Sequence, residues 1–194
     1  MLNPAAARAK APEIYRAKCT TTKGDFTVEV TRAWAPFGAD RFYNLIKGGF
    51  YDGAPIYRVI PGFMAQWGFS PNPAVNKAWD KATIKDDPVK QSNTPGMITF
   101  AKTDAPNSRS THLFINYGNN ARLDGMGFAP FGKVVEGMDV IEKFYNGYGG
   151  DLDQEKLGSG GIAYVKKSYP NMDIINSCVI EPAAPAAPST ARSK

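Results

Sequence analysis

Apolar and polar residues alternate early in the chain. In 26–32, FTVEVTR, Phe26, Val28 and Val30 alternate with Thr27, Glu29 and Thr31. A period of two predicts a strand with one buried face and one wet face. Residues 14–22, IYRAKCTTT, are strand-like as well, and Lys23-Gly24-Asp25 forms the turn between the two. The period then lengthens in APFGADRFYNLIKGGF, where Ala39, Phe42, Leu45 and Ile46 fall on one helical face. Pro36 suits the start of that helix and Gly48-Gly49 its end. YRVIPGFMAQWG, 57–68, reads as two short strands broken at Pro61-Gly62.

Three more strands follow: GMITFAK (96–102), THLFIN (111–116) and FAPFGKVV (128–135). Pro130 argues for an edge or a bulge in the last. EGMDVIEKFY (136–145) predicts a short helix with Met138, Ile141 and Phe144 inward, and MDIINSCVIE (172–181) closes the pattern as a strand. Residues 70–95, rich in Pro, Asn, Lys and Asp, read mostly as surface loop, and 146–171 as a long Gly- and Lys-containing excursion. About eight strands and two helices with no βαβ alternation predict a mainly β fold. The expected form is a closed eight-stranded antiparallel barrel capped by two α-helices.

The 194 residues suit one domain. We expect an extension over 1–13, the domain over 14–181, and a disordered Ala/Pro-rich tail over 182–194. No run of about 18 apolar residues exists, so no transmembrane helix is expected. MLNPAAARAKAPE lacks an apolar h-region and is not a signal peptide as it stands. The expected compartment is the cytoplasm, with secretion or the periplasm as the alternative if a leader has been removed. The net charge of +5 is scattered, which argues for a solvated surface on a monomer and against a nucleic-acid partner. The two cysteines, Cys19 and Cys178, are too few for a disulfide scaffold. Two buried thiols in a reducing compartment are expected, the alternative being a bond between the first and last strands.

Most catalytic chemistries lack their parts. His112 is the only histidine, lies in a strand pattern and has no G-x-S-x-G to accompany it, so a hydrolase triad is not supported. One histidine also makes a zinc site hard to build. Asp151, Asp153 and Glu155 alternate like the start of a calcium loop. Lys156 replaces the required glycine and Ile162 the required acid, which leaves a solvated loop. No metal and no cofactor are expected. Arg58 is different, because it interrupts an apolar stretch where a charge is costly unless it has a task. If the register survives the bend, Arg58, Met64 and Gln66 share a strand face. Gly62 would permit a kink that brings Phe63 to the same side. One cation, one amide and two apolar side chains then converge on a patch suited to an apolar ring flanked by amides, as in a prolyl peptide.

YRVIPGFMAQWG resembles the signature of the cyclophilins, the cyclosporin-sensitive class of peptidyl-prolyl cis–trans isomerases. The similarity continues in order through GMITFAK, with Phe100 where methionine is usual, through PNSRSTHLFIN, and through LDGMGFAPFGKVVEGMDVIEK. It spans about residues 14–181. It implies a barrel capped by two helices, a prolyl isomerase that assists folding, and proline-containing peptides and unfolded proteins as partners. It also implies Arg58, Phe63 and Gln66 as catalytic residues. Met64, Phe114 and Leu123 would join Phe63 in the proline pocket, Ala101 and the backbone of Lys102 would bind substrate, and lysine stands at 102 where asparagine is usual. His112 stands where the family has glutamine, and its titration near pH 6.5 would make activity pH-dependent. Arg122 replaces a tryptophan that contacts cyclosporin, so weak cyclosporin binding is expected. The family's pocket histidine is matched by Phe128 or by Gly127. Two rival readings are a non-catalytic cyclophilin-like module that binds proline-containing segments, and a hollow small-molecule barrel such as a lipocalin.

Overall fold

A computed structural model describes residues 1–182. Strands β1 (Ile14–Thr21) and β2 (Gly24–Thr31) pair as the expected antiparallel hairpin. Phe26, Val28 and Val30 are all buried, as their alternation requires. Helix α1 (Pro36–Lys47) buries Ala39, Phe42, Leu45 and Ile46 against the sheet. Ala35 at its N-cap offers no side-chain acceptor. The buried carboxylate of Asp87 serves instead, accepting from Phe37 N at 3.0 Å and Gly38 N at 2.9 Å. Arg109 donates to the same carboxylate at 3.0 Å, so this buried acid is paired as well as capping.

The remaining strands are β3 (Ala54–Pro55), β4 (Arg58–Ile60), β5 (Met64–Trp67), β6 (Met97–Phe100), β7 (Leu113–Asn116), β8 (Pro130–Glu136) and β9 (Ile174–Pro182). They form one sheet in the order β3-β9-β1-β2-β8-β6-β7-β5-β4, and every pairing is antiparallel. The mainly β antiparallel fold is as expected, and the strand count is corrected from eight to nine in one curled sheet. The extra strand is β3, two residues long, whose Pro55 has no N–H to offer a further ladder. Among the described residues no ladder joins β3 to β4, although only Ile56 and Tyr57 separate them in the chain. Val59, Trp67, Ile98, Phe100, Leu113, Ile115 and Phe131 fill the interior, which removes the hollow barrel from consideration. Pro130 begins β8 beyond its pairing with β2 and faces Thr99 alone, beside a register shift at Ile98/Thr99, so it marks a bulge at the strand end.

Two expected loops contain helices. Helix α2 (Pro73–Trp79) starts on Asn72, whose side chain accepts from Ala74 N at 2.9 Å, with Pro73 in the first turn. Helix α4 (Gln154–Ser168) follows the short α3 (Met138–Ile141) and starts on Asp153, which accepts from Lys156 N at 3.0 Å. The acidic run is therefore a helix start, and among the described residues no acidic, His or Cys cluster is arranged to hold a metal. A kink at Gly161 (φ +56) divides α4. A Cβ there would lie 2.5 Å from Pro71 O, so only glycine lets α4 close on the loop before α2. Leu157, Val165 and Met172 pack on Tyr57 and cover the seam between β3 and β4. At the other end of the chain, Ala11 N donates to Asp40 and Ala9 bonds Asn44 through N–H and C=O, so the first thirteen residues lie along α1.

Cys19 and Cys178 are a directly paired couple on β1 and β9, and they are disulfide-bonded. This corrects the expectation of two thiols. Register places the pair with Cα atoms 4.1 Å apart, within bonding reach. The expected tail lies outside the described residues, except that Pro182 ends β9. Among the described residues no helix is long and apolar enough to cross a membrane.

Candidate active site

The β4–β5 hairpin answers why an arginine interrupts an apolar run. Ile60-Pro61-Gly62-Phe63 is a tight turn, closed by Phe63 N donating to Ile60 O at 3.0 Å, with Gly62 at φ +72. Proline second and a positive-φ glycine third are what a type II turn requires. The turn fixes register, so Arg58 pairs with Gln66, Val59 with Ala65 and Ile60 with Met64. Gln66 in turn pairs with Phe114, and Phe114 with Thr99. Arg58, Gln66, Phe114 and Thr99 therefore form one row on the outer face of the sheet. Val59, Ala65, Ile115 and Ile98 form the matching row inside. Arg58 is half-buried, and its stem crosses the outer face while its interior neighbours supply the core.

A small apolar cluster lies beside Arg58 on that outer face. Met64, Phe114 and Leu123 form its buried floor, with Phe63, Ala101, Phe128 and Ile60 around them. Phe128 stands edge-on to Phe114 with centroids 6.0 Å apart, so it lines the cluster, whereas Gly127 is a left-handed turn residue without a side chain. Lys102 holds its ammonium 5.5 Å from the Phe128 ring and donates to Met126 O at 3.2 Å. Among the described residues the Lys102 main chain makes no hydrogen bond, while Ala101 N is taken by His112 O at 2.9 Å. Arg122 is exposed and stacks its guanidinium 4.9 Å from the Phe63 ring. The structure thus gathers Phe63, Met64, Ala101, Phe114, Leu123 and Phe128 beside Arg58, Gln66 and Lys102, with Arg122 at the rim, whereas His112 packs apart from that cluster against Tyr57 and Phe69.

Sequence reasoning missed the frame beneath them. Asn120 donates to Phe63 O at 2.9 Å and to Asn116 Oδ1 at 2.8 Å, and Asn116 donates to Met97 O at 2.9 Å. Asn93 donates to Phe128 O at 2.9 Å and to Asp124 at 2.8 Å, and accepts from Thr99 at 2.8 Å. Desolvation opposes ionisation of Asp124, but hydrogen bonds from Ser92 and Asn93 prevail and hold it below its ordinary pKa. These buried amides are satisfied on all sides and fix the main chain that carries Phe63 and Phe128. In sequence they sit in QSNTPG and NYGNN, which carry only turn signals. Ile60 and the hydroxyl of Tyr57 were missed as well.

His112 does not titrate near pH 6.5. Burial pushes its pKa down to about 4, with only a weak opposing pull from Asp80. Its Nδ1 is 3.0 Å from the Tyr57 hydroxyl and its ring is edge-on to Phe69 at 4.5 Å. Activity should therefore stay flat from about pH 8 to about pH 5.5. Stability behaves differently. Between 6.5 and about 4 the unfolded chain binds a proton that the folded chain refuses. Stability is full above that window and falls as acid is added through it. Thermal midpoints measured against pH should show this slope, and His112→Gln should flatten it.

Comparison with known proteins gives the same reading. Residues 16–166 match the family described as cyclophilin type peptidyl-prolyl cis-trans isomerase/CLD. A peptidyl-prolyl cis-trans isomerase of Acinetobacter baylyi is 37% identical over 131 residues, covering 65% of this chain and 69% of that protein. Peptidyl-prolyl cis-trans isomerase B of Escherichia coli is 34% identical over 131 residues, covering 63% and 79% respectively. Among solved structures, a cyclophilin type isomerase from Cryptosporidium parvum superposes with TM-score 0.67 at 20% identity, over 89% of this chain and 99% of that one. Cyclophilin AquaCyp293 from Hirschia baltica gives 0.63 at 18% identity, over 87% and 77%. The chain belongs to the cyclophilin-type peptidyl-prolyl cis–trans isomerases.

Proposed function

We propose that Arg58 catalyses rotation about Xaa-Pro bonds, with the proline ring held by Phe63, Met64, Phe114, Leu123 and Phe128. Uncatalysed rotation faces a barrier of about 18–20 kcal/mol, because the C–N bond has partial double-bond character. Twisting breaks that resonance and returns a lone pair to the imide nitrogen. A cation aimed at the nitrogen stabilises the twisted state more than either planar one, which is what lowers a barrier. Arg58 suits this because its charge is permanent and its fork can bond the substrate carbonyl too. Gln66 and the free main chain of Lys102 hold the peptide on either side while one flank turns. The reaction makes no covalent intermediate. The observation that carries this reading is the single sheet row placing Arg58 and Gln66 beside the Met64–Phe114–Leu123 cluster.

The test is a protease-coupled assay of a Xaa-Pro peptide with the wild-type chain. Acceleration proportional to enzyme concentration supports turnover. Binding of a proline peptide without acceleration would make the protein a binding module instead.

Several further readings belong with this one. The substrates are proline-containing segments of unfolded proteins, and the chain acts as a monomer. The disulfide supports an oxidising compartment, secreted or periplasmic, over the cytoplasm expected from sequence. The curled sheet acts as a barrel closed across its seam by side chains around Tyr57. Cyclosporin binds weakly, because Arg122 offers a solvated cation where a large aromatic surface would bury apolar area. Arg122→Trp should tighten cyclosporin by about tenfold or more, read by calorimetry.

A further inference from the structure

The isomerase reading leaves the hydroxyl of Tyr57 without a task. Its ring is 2% exposed and packs with Leu157 and Val165 of α4 and with Met172, apart from the main core. Phe69 closes the same cluster, its ring centroid 5.1 Å from that of Tyr57. The hydroxyl lies 2.6 Å from Gln66 Nε2 and 3.0 Å from His112 Nδ1. Arg58 Nη1 is 3.3 Å from the other end of the same amide, Gln66 Oε1.

Donors and acceptors along this row fix how the Gln66 amide lies. A guanidinium has only N–H groups, so the Gln66 carbonyl must face Arg58 and its NH2 must face Tyr57. The phenol oxygen accepts from that NH2. Its own proton goes to His112 Nδ1 when the neutral imidazole carries its proton on Nε2, and in the other tautomer Nδ1 donates to the phenol oxygen instead. The Gln66 amide is thus held at both ends, by the Tyr57 hydroxyl and by Arg58, with His112 packed behind the hydroxyl. Removing the hydroxyl leaves the Gln66 NH2 without this partner, and the amide is then held only by the long 3.3 Å contact of its carbonyl with the guanidinium.

We infer that Tyr57 is a positioning residue, whose hydroxyl locks the Gln66 amide and through it aims the Arg58 guanidinium. The segment 146–171 contributes by holding the Tyr57 ring, so the excursion serves the active site as well as the seam. This rests on the reading of Arg58 and Gln66 given above.

Tyr57→Phe tests it, because the ring keeps its apolar contacts and only the hydroxyl goes. We expect kcat to fall about tenfold with KM unchanged, the size of one well-made hydrogen bond felt only in the twisted state. In a Gln66→Ala background the same substitution should change kcat by less than about twofold, since no amide remains to orient. A purely structural role would instead multiply the two losses. The inference is overturned if Tyr57→Phe keeps the wild-type kcat, or if the losses multiply. Arg58→Ala run alongside separates the two readings: if it alone loses activity, the isomerase assignment stands and the Tyr57 role falls. If Arg58→Ala stays fully active, both fall.

Discussion

Arg58→Ala is expected to lower kcat/KM for a Xaa-Pro peptide by about 10²–10³-fold, the loss typical of one preorganised charge-stabilising donor. The expected size follows from what surrounds the guanidinium. Its partner among the described residues is the neutral amide of Gln66, at a long 3.3 Å, so its charge is not spent on a carboxylate. It is half-buried beside an apolar cluster, where a charge acts with less screening than in water. The proline pocket does not depend on it, since Met64 and Phe114 are held by β5 and β7, Leu123 by the short helical turn that follows β7, and Phe128 and Phe63 by the Asn93 and Asn120 amides. The loss should therefore fall on kcat and leave peptide affinity within about threefold. Arg58→Lys should recover only part of the rate, because a lysine keeps the charge but not the planar fork. Stability should change little, as the side chain lies on the outer face and its departure opens no core cavity. A folded Arg58→Ala variant with a third or more of wild-type kcat/KM would remove the arginine from the reaction.

The face that carries Arg58 was legible because strands obey a period of two and Pro-Gly dictates a tight turn. Those two rules together place Arg58, Met64 and Gln66 side by side, and the structure agrees. What escaped was set by tertiary structure. Helix α4 contains three glycines, which argue against a helix locally, and Gly161 is needed only because Pro71 lies against it. Helix α2 is seven residues long with Asn and Pro at its start, so its cap reads as a loop. Asp87, in the same stretch, is buried because α1 lacks a capping residue of its own, a demand visible only once the two segments meet. The amide frame under the pocket was hidden for the same reason: Asn93 and Asn116 carry no period and find each other across 23 residues. The low pKa of His112 is invisible in sequence, which shows its neighbours in the chain and not the burial that depresses it.

The disulfide depends on register in the same way, and breaking it should have the largest effect on stability. The bond joins residues 159 apart in sequence, so it constrains nearly the whole unfolded chain. A loop of that size implies about 5 kcal/mol in the chain-entropy account, and losses of about 2–5 kcal/mol are usual for native bonds. Cys19→Ala with Cys178→Ala is the cleaner test, because both positions are buried and serine would add two buried hydroxyls. Urea unfolding should show a midpoint lowered in proportion, and an m-value raised if the freed unfolded chain exposes more surface. The isomerase rate of the folded variant should hardly move. Cys19 and Cys178 belong to the main core and to neither the Tyr57 nor the Met64 cluster, and the pairing of β1 with β9 survives on its backbone ladder. An unchanged midpoint would mean that the two sulfurs are thiols in solution, and would withdraw the argument for an oxidising compartment. A lowered midpoint with wild-type kcat would show that the bond secures the fold without shaping the site around Arg58.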